Sequence, residues 1–252
     1  MNECQANHPA LPDLFDPHIP NNPVLWAVFQ GRLAGRALVD DLQHPSQCVL
    51  RTEANLTYAS LHVNQDFLSE AIDRFRQTKP ILLIRSQEDA PALNGYRILP
   101  RLEFYDVDPY SPVLIEWRSR LPNGYELHTI DRALLERCEW RDDMAFYCGS
   151  QEKFLQHGLG MCLMHEEQII VETYASSLGA PYAEIGAITR ETYRGRGFAP
   201  IAVAYLIDAL EQRGYRAYWS CDVDNIASAK VARKLGFKVE KPYEIWEFCR
   251  LD

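Results

Sequence analysis

Residues 182–215 read YAEIGAITRETYRGRGFAPIAVAYLIDALEQRGY, and residues 216–237 read RAYWSCDVDNIASAKVARKLGF. The first eight residues form a short, largely apolar run that is typical of a buried strand. Two glycines, at positions 195 and 197, interrupt the run and predict a turn. Apolar residues then recur at the spacing of one helix face, at positions 203, 206, 207 and 210. The stretch therefore predicts a strand, a loop rich in glycine and arginine, and an amphipathic helix.

The loop between this strand and helix has the composition of an anion-binding turn. The first N–H groups of a helix have no intrahelical partner and carry the positive end of the helix dipole. Gly195 and Gly197 would let backbone amides approach an anion closely, and Arg194 and Arg196 add positive charge. The pattern is neither the dinucleotide-binding GxGxxG nor a nucleoside-triphosphate loop. It predicts a phosphate cradle, with a basic solvated turn as the alternative.

The motifs of this stretch resemble those of the GNAT N-acetyltransferase superfamily. Arg194-x-x-Gly197-x-Ala199 resembles the family's coenzyme A pyrophosphate signature, Gln/Arg-x-x-Gly-x-Gly/Ala. Asn225-x-x-Ser228, followed by Lys-Leu-Gly-Phe, resembles the next family motif at matching spacing. The segments EIGAIT, YRGRGFA, WSCDVDN, IAS and ARKLGF also resemble the zwittermicin A resistance acetyltransferases and related antibiotic self-resistance enzymes. The superfamily resemblance covers the second half of the chain.

The resemblance implies an α/β (α+β) GNAT fold, a mixed and mostly antiparallel sheet flanked by helices. In the first half, the predicted order of strands, helix and strands resembles that of the second half. It lacks the glycine-arginine loop, as a degenerate repeat would. We expect a tandem, with a degenerate GNAT-like domain over residues 1–120 and a catalytic GNAT acetyltransferase domain over residues 121–252. The alternative is an unrelated, family-specific extension. Residues 106–123 contain three prolines and are the expected connector.

Further predicted elements surround the motifs. Residues 1–23 hold five prolines and read as an arm or loop. Asp131 is a candidate helix cap. A helix over residues 225–235 would turn Ala227, Val231 and Leu235 inward. The remaining strands of the second half are predicted at residues 125–130, 158–165, 168–175, 215–221, 237–240 and 243–251.

Composition and charge limit the class of protein. The formal net charge of −9 argues against a nucleic-acid surface and fits a cationic substrate, although many globular proteins are simply acidic. Seven cysteines without a CxxC pair predict neither a disulfide framework nor a zinc site, and we expect no metal. With no apolar leader and no run of roughly 20 apolar residues, we expect a cytoplasmic protein without a membrane partner.

The resemblance implies acetyl-coenzyme A as the acyl donor. In the family, loop amides hold the pyrophosphate, the end of the central strand pairs with the pantetheine arm, and the motif asparagine hydrogen-bonds that arm. Strand amides can also stabilise the oxyanion of the attacked thioester. Asn225 could instead be a plain helix N-cap, and Pro200 departs from the usual pattern because it has no N–H. The residues expected to contact the coenzyme are Ala187, Ile188, Thr189, Arg194, Gly195, Arg196, Gly197, Phe198, Ala199, Pro200, Asn225 and Ser228.

The resemblance also implies direct acetyl transfer to an amine, which must first lose a proton because an ammonium has no lone pair. A carboxylate is the usual base. Glu184 lies where family members often place one, with Glu172 as second choice, although Glu184 could equally be a structural or substrate-anchoring acid. The family's usual proton donor, a tyrosine seven residues after the motif asparagine, is replaced by Ala232. The candidates for its replacement are Tyr174, Tyr193, Ser176 and a water.

We therefore predict an acetyl-coenzyme A-dependent N-acetyltransferase that acts on an amine of a small molecule, with antibiotic self-resistance as the role that the branch implies. One alternative keeps the chemistry and makes the acceptor a protein amine. Another is a non-catalytic coenzyme A-binding regulatory module, which the replacement at Ala232 makes credible. The sequence does not indicate an oligomeric state.

Overall fold

The computed structural model describes residues 1–77, 79–86 and 93–250. Within these residues the strands are β1 Asn2–Gln5, β2 Gly35–Val39, β3 Cys48–Thr52, β4 Leu56–Ala59, β5 Ile81–Ile84, β6 Arg97–Tyr105, β7 Tyr125–Thr129, β8 Gly160–His165, β9 Gln168–Gly179, β10 Tyr182–Thr189, β11 Arg216–Asp222 and β12 Val239–Phe248. The helices are α1 Asn22–Phe29, α2 Gln65–Arg76, α3 Pro112–Ser119, α4 Arg132–Leu135, α5 Arg141–Cys148, α6 Gln151–His157, α7 Phe198–Gln212 and α8 Ile226–Lys234.

The chain divides into two compact units. One comprises Met1–Arg101 with Pro242–Asp252, and the other comprises Leu102–Lys241. From the sequence we predicted the domain boundary after residue 120 instead. Residues 102–120 go with the second unit because α3 packs on α7, where Tyr205 Oη donates to the Arg118 carbonyl at 3.2 Å.

The first unit orders its strands β1-β2-β3-β4-β5-β12. β4 and β5 are parallel and are joined by the crossover helix α2, whereas β1, β2 and β3 form antiparallel pairs. The apolar face of α2 supplies the core of this unit, with Leu68, Ala71, Ile72 and Phe75 buried. Asn64 caps α2, and its Oδ1 accepts from the Phe67 amide at 2.9 Å.

The second unit orders its strands β6-β11-β10-β9-β8-β7. The central strand β10 pairs antiparallel with β9 and parallel with β11, and α7 is the crossover between the parallel pair. The predicted helix face is confirmed, because Val203, Leu206, Ile207 and Leu210 are all buried against the sheet. The predicted strand over residues 182–189 coincides with β10. Asp131 caps α4 by accepting from the Leu134 amide at 2.8 Å.

Several expectations for other segments were wrong. The segment predicted as a connector contains helix α3. Ser111 caps this helix by accepting from the Leu114 amide, and Pro112 lies in its first turn. The N-terminal arm includes β1, which pairs with β2. The two closing strands are the single strand β12. On α8 Ala227 is exposed and Ala229 and Ala232 are buried, whereas the inward placement of Leu235 and Val231 is confirmed, because Leu235 is buried in the core and Val231 packs against it.

Candidate active site

The loop between β10 and α7 is open to solvent. Arg194, Gly195 and Arg196 are exposed, and Gly195 and Gly197 have φ angles of +75° and +85°. Residues with a Cβ rarely adopt such positive φ angles, so glycine is needed at both positions. A Cβ built on Gly195 meets nothing within 4 Å, and one built on Gly197 comes no nearer than 3.9 Å to Trp117. Among the described residues, a side chain added at either glycine would therefore point into open space.

The amides of this loop have the hydrogen-bonding capacity of an anion cradle. In the described part of the chain, the N–H groups of Gly195, Arg196 and Gly197 donate no hydrogen bond. Phe198 and Ala199 follow as the first helical residues, and their N–H groups add to the same donors. Pro200 is third and buried, so it offers none. The Phe198 ring is also buried, which leaves only its backbone for a ligand.

Two arginine side chains border the cradle. Arg194 Nε donates to the Thr189 carbonyl at 3.1 Å and so ties the loop back to the end of β10. The Arg196 guanidinium lies 5.4 Å from the centroid of the Tyr193 ring. Both guanidinium groups are exposed beside unpaired amides, so the positive charge that the sequence predicted lies at the start of α7.

The end of β10 separates from β11. Among the described residues, the parallel register runs from the pair Tyr182–Arg216 to the pair Ile185–Trp219, whereas the antiparallel register with β9 continues to Thr189. Ala187, Ile188 and Thr189 thus keep one paired edge and turn the other toward the gap. A backbone edge of this kind can accept an added extended chain. The gap ends where the cradle begins.

Glu184 lies on the face of β10 opposite α7. Ala183 and Ile185 point into the core, so strand alternation places Glu184 on the other side, where it is half-buried. Its Oε1 accepts from Ser220 Oγ on β11 at 2.5 Å. The residue directly across on β11 is Tyr218, whose hydroxyl donates to the buried carboxylate of Glu103. The predicted base therefore lies next to the point where β10 and β11 part.

Glu172, the second choice for the base, holds the polypeptide instead. It is only 2% exposed, and its two oxygens accept from the amides of Glu139 at 2.7 Å and Trp140 at 3.0 Å. Trp140 precedes the first residue of α5, so this carboxylate fastens the start of that helix to β9. Burial raises the pKa of the Glu172 carboxyl, and the two amide donors act against that rise. Because the carboxylate is buried and each of its oxygens already accepts from an amide, Glu172 is not accessible to an amine from solvent.

Replacing Glu172 by leucine should lower the free energy of unfolding by about 2–6 kcal/mol, because two amides lose their acceptors at about 1–3 kcal/mol each. The raised pKa adds a pH dependence. Protonation of Glu172 stabilises the folded state. This stabilisation is complete below the pKa of an unfolded glutamate, about 4.3, and is lost as pH rises through the higher pKa of Glu172 in the folded protein. The difference from wild type should therefore narrow between pH 4 and pH 7 in thermal unfolding. The exposed Glu139→Leu is the control, and equal melting of both variants would contradict the role.

The candidates for the missing proton donor have distinct environments. Ala232 is 0% exposed in the core, so the position of the family's tyrosine faces the interior here. Tyr193 donates to Gln168 Oε1 at 3.2 Å, and Ser176 donates to the Glu184 carbonyl at 3.1 Å. Burial raises the pKa of Tyr174, which keeps it protonated but makes it a weaker acid than an ordinary phenol. None of these three hydroxyl groups is therefore a strong proton donor for the thiolate.

Asn225 and Ser228 lie at the start of α8. Asn225 is its N-cap, with Oδ1 accepting from the Ser228 amide at 3.1 Å, so the capping interpretation of this residue is realised. Its side chain is exposed. The Ser228 hydroxyl accepts from Trp219 Nε1 at 2.9 Å, which links α8 to β11. Both residues therefore have structural partners, and both lie close to the end of β11, the strand on the far side of the gap from β10.

Sequence reasoning missed two contributors to this site. Ser220 is on the same strand face as Tyr218, and only the pairing of β10 with β11 reveals that it reaches Glu184. Trp140 lies over Gly186, where a Cβ would approach its ring at 3.4 Å. Ser220 lies within the quoted segment WSCDVDN, but its contact with Glu184 is long-range, and no quoted segment contains Trp140.

Comparison with known proteins identifies the family. A family model described as GNAT acetyltransferase matches residues 13–246. The chain belongs to the GNAT acetyltransferases. An uncharacterized N-acetyltransferase of Bacillus subtilis (strain 168), YdfB, is 25% identical over 235 residues, which are 88% of each chain. This GNAT enzyme is accordingly an acetyltransferase, as the motifs predicted.

Solved structures agree with the GNAT fold. A GCN5-related N-acetyltransferase-like protein from Streptococcus suis 89/1591 superposes with a TM-score of 0.69 at 26% identity, covering 94% of this chain and 96% of that one. A tandem GNAT protein from the clavulanic acid biosynthesis pathway gives a TM-score of 0.61 at 13% identity, with 94% and 89% covered, and supports the fold alone. The predicted mixed sheet flanked by helices is thus confirmed.

GNAT acetyltransferases generally use acetyl-coenzyme A, and the residues present fit it. The amides of Gly195, Arg196 and Gly197 are unpaired in the described chain, as a diphosphate requires, and the free edge of β10 suits an extended arm. In residues 1–77, 79–86 and 93–250, no helix is long and apolar enough to cross a bilayer. The same residues contain no cluster of three or more potential metal ligands.

Proposed function

We propose that this GNAT acetyltransferase transfers the acetyl group of acetyl-coenzyme A to an amine of a small, positively charged molecule. The observation that carries the proposal is the half-buried Glu184 carboxylate, held beside the gap between β10 and β11. A carboxylate there can bind an ammonium and then accept its proton. The net charge of −9 is consistent with a cationic acceptor.

Bound acetyl-coenzyme A would supply a thioester carbonyl that an amine can attack. The cradle amides and the two arginines would hold its diphosphate, and the free edge of Ala187–Thr189 would align the pantetheine arm. N–H groups on that edge would stabilise negative charge on the carbonyl oxygen. Glu184 would take the amine proton. Since a coenzyme A thiolate leaves readily, water suffices as the proton donor in the absence of a strongly acidic side chain.

We infer that the chain is a tandem with one working copy, a degenerate GNAT-like domain in the first unit and a catalytic domain in the second. β4–α2–β5 repeats the parallel crossover of β10–α7–β11. At the start of α2, however, Asn64 caps the Phe67 amide, and the Asn64 amide donates to Gln47 Oε1 at 2.8 Å. The first copy thus pairs two amides at the start of its helix with its own side chains, whereas the loop amides of the second copy are unpaired in the described chain.

The cellular role that we propose is antibiotic self-resistance in the cytoplasm. Its support is the resemblance of EIGAIT, YRGRGFA, WSCDVDN and ARKLGF to the zwittermicin A resistance acetyltransferases. All seven cysteines are free, which suits a reducing compartment. Buried Cys138 and Cys162 are unjoined even though their sulfur atoms lie 3.7 Å apart.

Release of coenzyme A thiol with a panel of acceptors tests the proposed function. Polyamines and amino-antibiotics should give turnover with the purified protein and acetyl-coenzyme A, and mass spectrometry should show a gain of one acetyl group on the acceptor. Turnover with lysine-containing or N-terminal peptides alone would point to a protein acceptor instead. Binding of acetyl-coenzyme A without turnover of any amine would favour a regulatory module.

A further inference from the structure

The Glu184 carboxylate leans toward the opening between β10 and β11. Its direct partner across the parallel register is Tyr218, yet it accepts its hydrogen bond from Ser220, two residues further along β11. Because the strands are parallel, that displacement is toward their carboxyl ends. The gap begins at this end, immediately beyond the pair Ile185–Trp219, and α7 starts from the same end. The hydroxyl of Ser220 therefore holds the carboxylate on the side where an acceptor would meet the thioester.

We propose that Ser220 is a positioning residue that aims Glu184 at the acceptor amine and favours its ionised form. The proposal rests on the proposed function, since it presumes that Glu184 takes the proton. A serine hydroxyl has one proton to donate, and donation to a carboxylate favours the charged state. A carboxylate has about four lone-pair sites, so the bond from Ser220 does not by itself saturate Glu184.

The groups around Glu184 make such a donor useful. On β11, Tyr218 donates to Glu103 of β6, a carboxylate that is only 5% exposed. On β9, Tyr174 lies close enough that the charge of Glu184 helps to raise its pKa, and Asp143 and Tyr147 of α5 act on it in the same direction. Tyr182 lies two residues away on β10. Among these groups only the carboxylates of Glu103 and Asp143 can repel a charged Glu184, because the tyrosines are neutral phenols, and a hydroxyl donor such as Ser220 favours the charged form.

Ser220→Ala tests the role through the pH profile. Losing the donor should move the acidic limb of kcat/KM for the amine to higher pH by about one unit and lower kcat at pH 7 about tenfold. Binding of acetyl-coenzyme A should not change, because the cradle is untouched. Ser220→Thr retains a hydroxyl and should restore the wild-type profile, which a merely space-filling role would not require.

Ser177→Ala is the matched control. Ser177 lies directly across from Glu184 on the other neighbouring strand, is 3% exposed, and its Oγ has no hydrogen-bond partner in the described chain. The Ser177→Ala variant also removes one serine hydroxyl from a strand next to Glu184. Its pH profile should match wild type. An unchanged profile in Ser220→Ala, or an equal shift in Ser177→Ala, would overturn the positioning role.

A second measurement separates this inference from the proposed function. Carboxyl carbon NMR can follow the titration of Glu184, assigned by its loss in Glu184→Gln, without any turnover. A higher Glu184 pKa in Ser220→Ala than in wild type supports the role of Ser220, and an equal pKa overturns it. If the pKa shifts but wild type acetylates no amine, the proposed function fails while the control of Glu184 by Ser220 stands.

Discussion

Gly197→Glu should weaken acetyl-coenzyme A binding at least 100-fold, which corresponds to about 2.7 kcal/mol. Gly197 has a φ of +85° and precedes the first residue of α7, so a side chain there strains the turn. The added carboxylate would also lie among the unpaired amides and guanidinium groups meant for the diphosphate. Isothermal titration calorimetry with acetyl-coenzyme A measures the loss directly.

The other end of the same helix provides the control for this change. Gly214 follows α7, is exposed, and has a φ of +79° with nothing within 4 Å of a built Cβ. Gly214→Glu therefore adds the same charge and a similar backbone strain far from the cradle. It should bind acetyl-coenzyme A as wild type does. Tight binding by Gly197→Glu would refute the cradle assignment.

Glu184→Gln should lower kcat at pH 7 by about 10²–10⁴-fold, the usual contribution of a general base. The amide keeps the shape and can still accept from Ser220, but it cannot take a proton. Raising the pH should recover part of the rate, because more of the acceptor is then unprotonated. Steady-state kinetics between pH 6 and pH 10 would show the drop and its partial recovery.

Glu167→Gln makes the same charge change on the exposed turn between β8 and β9 and should leave kcat unaltered. If Glu184→Gln raised KM for the amine and left kcat unchanged, the carboxylate would be a substrate anchor and not the base. That result would leave acetyl transfer intact and move the proton transfer to water.

Local sequence predicted the parts of this site that depend on local chemistry. Glycine permits the positive φ angles found at positions 195 and 197, and the apolar run 182–189 is long enough for one strand, so the strand, loop and helix could be predicted from the sequence. Asn225 likewise carries its capping role in its residue type. These features need no knowledge of distant partners.

The features that the sequence did not reveal depend on long-range pairing. Glu172 looked like a spare catalytic acid because nothing near it in sequence shows the amides, 33 and 32 residues away, that it binds. The start of α3 resembled a connector because proline disrupts helices except in their first turn. Ala227 was wrongly placed on the buried face of α8 because alanine is small enough to lie on either side of a helix, and packing then decides which alanines are buried.

The Asn64 cap in the first unit has a consequence for the stoichiometry of the enzyme. Two strand-helix-strand crossovers occur along one polypeptide, and in the earlier one the Asn64 side chain takes the Phe67 amide at the start of the helix. On the proposed tandem, each polypeptide would bind one acyl carrier, and the repeated order would not double that capacity. Residues of the first copy would then be free of selection for nucleotide contact.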